Sequence, residues 1–463
     1  MKLQICGAAE TVTGSCHLLT LENDYKLLLD CGLYQGADNV FDEFNHQWFF
    51  KPADINALIL SHAHIDHCGR IPKLVKDGFK GKIICTSATR DLAAIMLLDS
   101  AHIQEGDAEY ETKKYGGKHE PLYTEWDVKQ CLRYFYCVEY DNWFKVNEQI
   151  ELLFSDAGHI LGSATVTLKI KEAGKETLFG FSGDIGRYNR PILKDPTPMP
   201  QLDYLICEST YGGKTHDETP ENDDHFMQII FDTCVAKRGK LIIPAFSLGR
   251  TQEILYRLDK LYNSGRLQNI NVYVDSPLAM NATEIYTIHP ECFDNEIHQY
   301  MSEDDSPFGW NNMHYVRKAD QSKQLNISDE PCIIIAASGM ANAGRVKHHL
   351  YHQIDKAENT ILIVGYCAEG TLGQQLVQKP DTVTIFHQEK RVRAQIEVMS
   401  SMSAHADEPE LLKFLSNQQK EKLNKIFLVH GEPKRQEAFK QTLLNNQYKN
   451  VEIPKLGDIF ELQ

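Results

Sequence analysis

The sequence predicts an α/β protein in which one domain is inserted into another, and three observations support this expectation. Residues 1 to about 207 contain short apolar runs of strand length that end in polar or glycine-containing loops. From about residue 208 the pattern changes to a strand, a glycine-bearing loop and a helix, repeated four times. Beyond residue 380 the short-strand pattern returns. We therefore expect three segments, 1–207, 208–380 and 381–463, of which the middle one is the insertion.

The first segment is predicted to combine strands with one helical stretch. Its strand candidates are the apolar runs "KLLLD", "ALILSH", "KIICTS", "QIELLFSDAGH" and "TLFGFSGD". Between the third and the fourth, residues 87–147 show apolar positions at helical spacing in "TRDLAAIMLLDSAHIQEGDAEYE" and "TEWDVKQCLRYF". The last segment adds "RVRAQIEVMSSMSAHAD", "KIFLVHG" and a final strand near "DIFEL".

The middle segment is predicted to be a mostly parallel sheet wrapped by helices. Each of its four apolar runs leads through a loop into a helical pattern. The four units begin at "KLIIPAFSLGR", "INVYVDSPLAM", "PCIIIAASGMANAGR" and "TILIVGYCAEGTLG".

The composition indicates where the protein is located in the cell and how it could bind a polyanion. A chain of 463 residues exceeds what one ordinary core supports, and its 42% hydrophobic content fits a globular protein. No run approaches the ~20 apolar residues of a membrane span, and the opening "MKLQICGAAE" lacks the layout of a secretion signal. We therefore expect a cytoplasmic protein without a membrane partner. The net charge of −16 argues against bulk electrostatic attraction to nucleic acid, so any polyanion must be bound locally.

The cysteines are predicted to be reduced core thiols. All 12 are scattered without a C-x-x-C pair, and Cys85, Cys207 and Cys332 lie inside apolar, strand-like runs. This distribution favours a reducing compartment over a disulfide framework or a thiolate zinc site.

The segment "SHAHIDHCG", residues 61–69, places three histidines and an aspartate directly after an apolar run. His62 and His64 are two apart on an extended segment, so their side chains can point to one side, and Asp66 and His67 follow at the turn. Imidazole and carboxylate ligands without nearby thiolates favour a catalytic zinc site, and the alternative is a solvated histidine-rich turn. Four ligands this close leave no open position on one tetrahedral ion. Two metal ions that share further ligands are therefore expected.

Further ligand candidates follow other apolar strands. His159 lies in "DAGHILGSA", Asp184 in "FSGDIGR" and His430 in "FLVHGE". A single histidine at a strand end is more often a hydrogen-bonded structural residue. The repeated placement at strand ends makes the three residues candidates as a group.

The order of these motifs resembles a known family. Asp30 in "LLLDCG", then "SHAHIDH", "GHILGSA" and "SGDIGR", are similar to the successive motifs of the metallo-β-lactamase superfamily. Glu208 in "ESTYG", His405 in "SMSAHAD" and His430 in "VHGE" are similar to motifs A, B and C of its β-CASP nuclease subgroup. The resemblance covers nearly the whole chain and is closest to bacterial and archaeal relatives of the mRNA 3′-end cleavage nuclease. It implies an αββα sandwich with an inserted β-CASP α/β domain.

The resemblance also implies two zinc ions per chain and a role for each motif residue. The implied ligands are His62, His64 and His159 for one ion, Asp66, His67 and His430 for the other, and Asp184 as the bridge. Asp30 would orient the histidine loop from behind the ligands, as such sites commonly require.

The implied chemistry is hydrolysis of a phosphodiester, with Asp66 and Asp184 among the catalytic residues. Two zinc ions about 3.5 to 4 Å apart would activate a hydroxide and clamp the oxygens of an in-line displacement, leaving a 5′-phosphate and a 3′-hydroxyl. His405, kept protonated by Glu208, is the candidate donor of a proton to the departing 3′-oxygen.

Two glycine-bearing loops are candidate substrate contacts. In "AASGMANAGR" a buried strand ends and a helix opens, which favours phosphate binding by Ser338, Gly339, Gly344 and Arg345. The alternative is an ordinary tight turn. Arg250 in "AFSLGR" is a second candidate, or it caps a structural network.

One position departs from the family pattern. After the "GTLG" turn, where relatives often carry arginines, this chain has Gln374 and Gln375. Glutamine keeps hydrogen-bonding capacity but loses the charge, so a phosphate contact there is in doubt.

The function expected from the resemblance is a zinc-dependent ribonuclease acting on single-stranded RNA. RNA is preferred to DNA because motif C is His430, where DNA-acting members of the subgroup typically have an apolar residue. The alternatives are a single-stranded DNA nuclease, a hydrolase of small esters, and a non-catalytic RNA-binding scaffold. Endonucleolytic and 5′-to-3′ exonucleolytic cleavage, the RNA target and a homodimer all stay open.

Overall fold

The computed structural model describes the chain apart from residues 37–38, 217–222, 268, 366, 368–369 and 400–402, and the side chains of 39–42. The described part separates into two compact units. The first unit combines Met1–Thr215 with His405–Gln463, and the second is His216–Ala404. The limits expected from the sequence at 207/208 and 380/381 stay a prediction.

Seven strands form the first sheet of the first unit. In spatial order they are Ile459–Glu461 (β22), Lys2–Ile5 (β1), His17–Thr20 (β2), Lys26–Leu29 (β3), Ala57–Ile59 (β4), Lys82–Cys85 (β5) and Phe135–Cys137 (β6). Neighbours from β22 to β3 are antiparallel, and neighbours from β3 to β6 are parallel.

Seven further strands form the second sheet of this unit. In spatial order they are Val451–Glu452 (β21), Lys425–Val429 (β20), Tyr204–Glu208 (β11), Lys175–Phe181 (β10), Ala164–Glu172 (β9), Ile150–Asp156 (β8) and Phe144–Lys145 (β7). The pairs from β7 to β10 are antiparallel, and those from β10 to β21 are parallel.

The two sheets bury a shared core, and helices cover their outer faces. Strand β11 shows how, because its alternate side chains point to opposite faces. Tyr204 and Ile206 join the core between the sheets, whereas Leu205 and Cys207 join a second cluster under two helices. The helices of this unit are Asn39–His46 (α1), Ile65–Cys68 (α2), Ile71–Lys76 (α3), Ser87–Tyr115 (α4), Glu125–Cys131 (α5), Glu408–Leu415 (α13) and Pro433–Asn445 (α14). The αββα sandwich is confirmed.

Helix α4 shows why a predicted helix begins where it does. The side chain of Thr86 accepts a hydrogen bond from the backbone N–H of Thr89 at 3.2 Å, which satisfies one of the free donors of the first turn. Thr86 and Thr89 also donate their hydroxyls to the carbonyl of Gly162 at 2.7 and 2.8 Å. The helix start therefore holds the "GHILGSA" loop.

The second unit is built on one parallel sheet of six strands. In spatial order they are Met313–Tyr315 (β14), Asn271–Val274 (β13), Cys332–Ala336 (β15), Lys240–Pro244 (β12), Thr360–Ile363 (β16) and Gln395–Val398 (β19). Every pair in it is parallel. Strand β19 follows the predicted boundary at residue 380, and its pairing with β16 places it in this sheet.

Helices follow the strands of the second unit. They are Asp223–Ile230 (α6), Arg250–Asn263 (α7), Pro277–Ile288 (α8), Asn295–Met301 (α9), Ala319–Ile327 (α10), Gly344–Gln353 (α11) and Leu372–Val377 (α12). The four predicted strand–loop–helix units are β12–α7, β13–α8, β15–α11 and β16–α12. A separate antiparallel hairpin joins Thr382–Ile385 (β17) and Gln388–Arg391 (β18). The predicted α/β fold class is confirmed.

Two further expectations concern the whole chain. Ten of the 12 cysteines are buried free thiols, Cys367 is half-buried and Cys137 is exposed. Within the described part of the chain, no helix is long and apolar enough to cross a membrane.

Candidate metal centre

The predicted ligands lie where strands of the first unit end. Asp30 follows β3, the histidine loop follows β4, His159 lies between β8 and β9, and Asp184 follows β10. His430 follows β20. Parallel neighbours β11 and β20 end side by side, which brings Glu208 next to the segment of His430. The sheet order therefore gathers motifs that are far apart in sequence.

The first ligand group consists of His62, His64, His159 and Asp184, whose ligand atoms all lie within 4.8 Å of one another. Nδ1 of His64 lies 3.2 Å from Nε2 of His62 and 3.1 Å from Nε2 of His159. Oδ2 of Asp184 lies 3.4 and 3.6 Å from the Nε2 atoms of His62 and His159. Three ring nitrogens and one carboxylate oxygen thus face a common point.

The second ligand group consists of Asp66, His67 and His430. Nε2 of His430 lies 3.3 Å from Nε2 of His67 and 3.3 Å from Oδ2 of Asp66. Oδ1 of Asp184 lies 3.3 Å from Nε2 of His67 and 3.4 Å from Nδ1 of His430. Asp184 therefore presents one carboxylate oxygen to each group.

The donor set fits bound cations. Oδ1 of Asp184 is buried, yet it accepts no hydrogen bond from the described residues. Such an atom is rare in a folded protein unless an unseen partner binds it. The ring nitrogens of the histidines also lie only 3.1 to 3.3 Å from one another, so neutral rings can direct their lone pairs at a shared cation.

The pKa values of the histidines agree with that fit. Burial lowers the pKa of His62 to about 3 and that of His64 to about 4, and it lowers the pKa of His159 well below its ordinary value. These rings are neutral at pH 7, which is the form that binds a metal. Burial opposes protonation of His67 too, but Asp184 and Asp30 raise its pKa well above the ordinary value. A positive charge is therefore favoured where the second ion would lie.

The two carboxylates of the centre are held ionised. Burial opposes ionisation of Asp184, yet the charges of His430 and His67, together with the contact from His62, hold its pKa well below the ordinary value. Burial also opposes ionisation of Asp66, but its hydrogen bond with His430 and the charge of His67 lower its pKa. Both carboxylates are therefore available as ligands at neutral pH.

Asp30 supports the centre from beneath the histidine loop. It is fully buried, and its Oδ2 accepts a 2.6 Å hydrogen bond from Nδ1 of His67. Its Oδ1 accepts the backbone N–H of Ser61 at 2.7 Å, and Oδ2 also accepts the Ser61 hydroxyl at 2.8 Å. These contacts turn Nε2 of His67 toward Asp184.

Glu208 and His405 form a pair beside the first ligand group. Nδ1 of His405 lies 3.4 Å from Oε1 of Glu208 and 4.0 Å from Oδ2 of Asp184. Glu208 is fully buried, and the same oxygen accepts the backbone N–H of Ile185 at 2.6 Å. Burial lowers the pKa of His405, but the nearby charge of Glu208 outweighs this and raises it to about 9. His405 therefore carries a proton at neutral pH.

The two arginines of the second unit that were predicted to contact substrate interact with other residues of the protein. Nη1 of Arg345 donates to Oδ1 of Asp275 at 2.6 Å and to the Val316 carbonyl at 2.8 Å, and Nη2 donates to the Arg317 carbonyl at 2.8 Å. Arg250 is buried at the start of α7 and forms an ion pair with Glu253. Phosphate contacts by these two arginines stay a prediction.

The glycines of the "AASGMANAGR" loop have packing reasons to be glycine. A Cβ on Gly339 would lie 2.6 Å from the Phe246 ring, and one on Gly344 would lie 2.4 Å from the Ala337 carbonyl. Ser338 precedes both glycines in the segment that follows β15. Phosphate binding by Ser338, Gly339 and Gly344 stays a prediction.

Gln374 and Gln375 lie in the helix that follows the "GTLG" turn. Gln374 is half-buried in the first turn of α12, where its backbone N–H donates to the Thr371 hydroxyl at 3.2 Å, and Gln375 is exposed. Loss of a phosphate contact at these positions stays a prediction.

Sequence reasoning missed two hydroxyl residues that support the ligands. The hydroxyl of Thr210 lies 3.1 Å from Nδ1 of His430 and donates to the His430 carbonyl at 3.1 Å. The hydroxyl of Ser61 lies 3.1 Å from Nδ1 of His62. Both residues stand inside quoted motifs, "ESTYG" and "SHAHIDHCG", but a hydroxyl residue there has no pattern that distinguishes it from its neighbours.

Histidine and carboxylate clusters at the strand ends of an αββα sandwich define a metal-dependent hydrolase. Three family models match the chain in consecutive segments. Residues 10–205 match the metallo-beta-lactamase superfamily, residues 251–376 the Beta-Casp domain, and residues 389–454 the Zn-dependent metallo-hydrolase RNA specificity domain. The chain belongs to the β-CASP subgroup of the metallo-β-lactamase superfamily, as its motif order predicts.

Individual proteins show the same relationship. Ribonuclease TTHA0252 of Thermus thermophilus is 33% identical over 99% of this chain and 99% of its own length. In Methanocaldococcus jannaschii, the transcription termination factor FttA is 32% identical over 98% of this chain and 70% of its own length. The RNase J-like protein of the same archaeon is 30% identical over 98% of this chain and 96% of its own length.

A solved structure shares the architecture without close sequence similarity. A protein of unknown function from Enterococcus faecalis has a TM-score of 0.54 and 10% identity, and the match covers 100% of this chain and 99% of that one. This likeness shows the fold alone.

Proposed function

We propose that this protein is a zinc-dependent ribonuclease that hydrolyses phosphodiester bonds of single-stranded RNA, in RNA processing or degradation. The products would be a 5′-phosphate and a 3′-hydroxyl. The observation that carries the proposal is the pair of ligand groups that meet at the two oxygens of Asp184. Relatives named as ribonucleases and the matching RNA specificity family support RNA as the substrate.

Each ligand group is proposed to hold one zinc ion. The first ion would be held by His62, His64 and His159, the second by Asp66, His67 and His430, and Asp184 would contribute one oxygen to each. Zinc, when bound there, supplies Lewis-acid polarisation of the phosphate and a lowered pKa of the attacking water.

The other residues of the centre position ligands and move a proton. Asp30 fixes the His67 ring through the 2.6 Å bond to Nδ1, so that Nε2 points into the centre. Glu208 contacts Nδ1 of His405, and we assign the proton for the departing 3′-oxygen to Nε2, the opposite ring nitrogen. Because Glu208 keeps His405 protonated at neutral pH, the proton donor is ready before substrate binds.

The test is a cleavage assay that separates the modes of attack. The zinc-loaded protein is incubated with body-labelled single-stranded RNA that carries either a 5′-monophosphate or a 5′-hydroxyl, and with DNA of the same sequence. Discrete internal fragments would indicate an endonuclease. Mononucleotide release from the monophosphate form alone would indicate a 5′-to-3′ exonuclease. Preferential cleavage of the DNA, or no cleavage of either polymer, would contradict the proposal.

Two variants control the assay. Asp184→Asn removes one negative ligand with little change of shape and is expected to abolish cleavage. Asp320→Asn makes the same chemical change at a side chain that is 93% exposed and is expected to leave cleavage unchanged.

A further inference from the structure

A cluster of cationic and aromatic side chains lies at the surface of the second unit, where its members are exposed or half-buried. It lies where helix α11 meets the tip of the β17–β18 hairpin. Phe386 at the tip is 40% exposed, so one part of its ring is open to a ligand. The cluster, called here the α11–hairpin patch, consists of Lys347, His348, Tyr351, His352, Phe386, His387 and Lys390.

The rings of the patch contact one another and are flanked by ammonium groups. The Phe386 ring centroid lies 4.7 Å from that of His348 and 5.8 Å from that of Tyr351. Nζ of Lys347 lies 5.1 Å from the Phe386 ring, and Nζ of Lys390 lies 4.1 Å from the Tyr351 ring. Cations at this distance from an aromatic face are attracted to it, so charges and rings form one surface.

The charge of this region is opposite to that of the whole chain. Residues 344–356 and 379–393 contain seven Lys or Arg and three Asp or Glu, whereas the chain carries −16. One of the seven, Arg345, is committed to Asp275, and Lys390 is shared with Asp355 at 3.7 Å. Lys347 faces the rings of the patch, and the excess of basic residues in these two segments leaves the region positive. A polyanion would therefore be attracted here locally despite the acidic total.

The histidines of the patch serve as rings more than as charges. Burial, together with neighbouring cations, lowers the pKa of His348 and of His352 below the ordinary value. A neutral imidazole presents a flat face on which a base can stack.

The hairpin tip keeps bulky residues in a conformation that disfavours them. Ile385 pairs with Gln388, so Phe386 and His387 form a two-residue turn. Their φ angles are +52° and +61°, the conformation for which Asn-Gly is preferred because a large side chain is strained there. Strained residues persist mainly where their side chains serve a purpose.

We propose that the α11–hairpin patch binds single-stranded RNA outside the metal centre. Unpaired bases would stack on Phe386 and His348, while Lys347 would contact the phosphates between them. This inference rests on the proposed function, since the RNA held there is the substrate. Duplex RNA is disfavoured because its bases expose no free faces, and an acidic peptide has no bases to stack.

Two double variants test the patch. A third removes the same kinds of side chain, a lysine and an aromatic ring, at another site and serves as the control. Lys347→Ala/Phe386→Ala removes the charge and the ring. Phe386→Asn/His387→Gly removes both tip side chains but supplies the residues that the turn prefers, so folding is protected. The control is Lys114→Ala/Tyr115→Ala, because Nζ of Lys114 lies 4.9 Å from the ring of the exposed Tyr115 at the end of α4.

Binding is measured by fluorescence anisotropy with full-length protein carrying Asp184→Asn, so that cleavage does not consume the RNA. The probe is a labelled single strand of about 20 nucleotides, longer than the ~4–16-nucleotide sites usual for such surfaces. Both patch variants are expected to raise Kd by about 10-fold, since each base–aromatic stack contributes substantially to affinity. Loss of Lys347 should also reduce the slope of log Kd against the logarithm of the salt concentration by about 0.7. The control variant should bind as the parent does.

The results separate failure of this inference from failure of the proposed function. RNA cleavage by the wild type, with unchanged RNA binding in both patch variants, would overturn the patch and leave the ribonuclease intact. Patch-dependent RNA binding without RNA cleavage by the zinc-loaded wild type would do the reverse. An equal rise of Kd for RNA in the control variant would also overturn stacking of RNA bases at this site. So would an equal rise of Kd for polyglutamate, an acidic polymer without bases, in the patch variants.

Discussion

Two buried clusters of histidine and aspartate among the described residues, one in each unit, differ in how their polar atoms are satisfied. The metal centre of the first unit leaves Oδ1 of Asp184 without a hydrogen bond from the described residues. In the second unit, Asp275 follows β13, is fully buried, and has partners on both oxygens. Oδ1 accepts from Arg345 at 2.6 Å, and Oδ2 accepts from Nε2 of His349 at 2.7 Å and from the Ser322 hydroxyl.

The second cluster is closed by one more contact. Nδ1 of His349 lies 2.9 Å from Oδ1 of Asn326, so both nitrogens of this buried ring are paired. Burial opposes ionisation of Asp275, but the bonds from His349, Ser322 and Arg345 lower its pKa below the ordinary value. Residue types are alike in the two clusters. Complete pairing indicates a structural network, and unpaired ligand atoms that converge indicate a binding site.

The largest effect is expected from breaking the metal centre at its shared ligand. Asp184→Ala should lower RNA cleavage by at least about 10³-fold, because one residue serves both ligand groups and metal-based charge stabilisation is worth several kcal/mol. Zinc content by plasma mass spectrometry should fall below that of the wild type. A variant that retains wild-type zinc and wild-type cleavage would contradict the bridging role.

The second prediction concerns the closed cluster. Asp275→Ala leaves the buried His349 and the half-buried Arg345 without their anionic partner, and we expect the free energy of unfolding of the second unit to drop by about 3 kcal/mol. Urea unfolding followed by circular dichroism measures this. Zinc content should equal that of the wild type, whereas loss of zinc together with stability would remove the distinction between the two clusters.

The third prediction changes the proton donor rather than the ligands. The carboxylate of Glu208 stabilises the protonated form of His405, so Glu208→Gln should lower the pKa of His405. Cleavage that needs this proton is lost as pH rises through that pKa. The alkaline limb of log kcat against pH should therefore move to lower pH in Glu208→Gln, by about 1–3 pH units.

His405→Ala provides the matched comparison for this profile. Removing the donor should lower kcat and eliminate the same limb. An alkaline limb that Glu208→Gln does not move would assign the proton to another group.

The contrast between the clusters also explains what the sequence could predict. The ligands of the metal centre lie in short motifs directly after apolar strands, so residue type and position identified them before the sheets were known. The inserted parallel sheet followed from the strand patterns, whereas the αββα sandwich was implied by the family resemblance. Thr210 and Ser61 escaped because a hydroxyl next to a ligand has no signature of its own.

The Asp275 cluster escaped for a different reason. Its members come from α10, α11 and the residue that follows β13, and the bond from Arg345 to Asp275 spans 70 residues of sequence. In the sequence, Arg345 stands in a glycine loop typical of phosphate binding. Only tertiary packing brings the carboxylate of Asp275 within reach of the Arg345 guanidinium group. No local sequence pattern shows that this carboxylate would compete with a phosphate for it.

The last prediction concerns Asp156, a buried carboxyl of the first unit. It is 8% exposed, and Oδ1 accepts the N–H of Gly158 at 2.9 Å. Burial raises its pKa from an ordinary 3.8 to about 7, although the Gly158 N–H and the charge of Lys194 oppose this rise. The folded state thus keeps a proton that the unfolded state loses between about pH 4 and pH 7.

This difference fixes the sign of a pH effect on stability. The contribution of Asp156 is present below the unfolded pKa and is lost as pH rises to about 7, at roughly 1.4 kcal/mol per pH unit. Asp156→Asn cannot ionise and can still accept the Gly158 N–H. Its free energy of unfolding should therefore exceed that of the wild type increasingly from pH 5 to pH 7, as urea titrations at several pH values would measure. If the free energy of unfolding of the two proteins changes with pH in parallel, Asp156 is already ionised in the folded state. Its carboxylate would then be stabilised by partners, as that of Asp275 is.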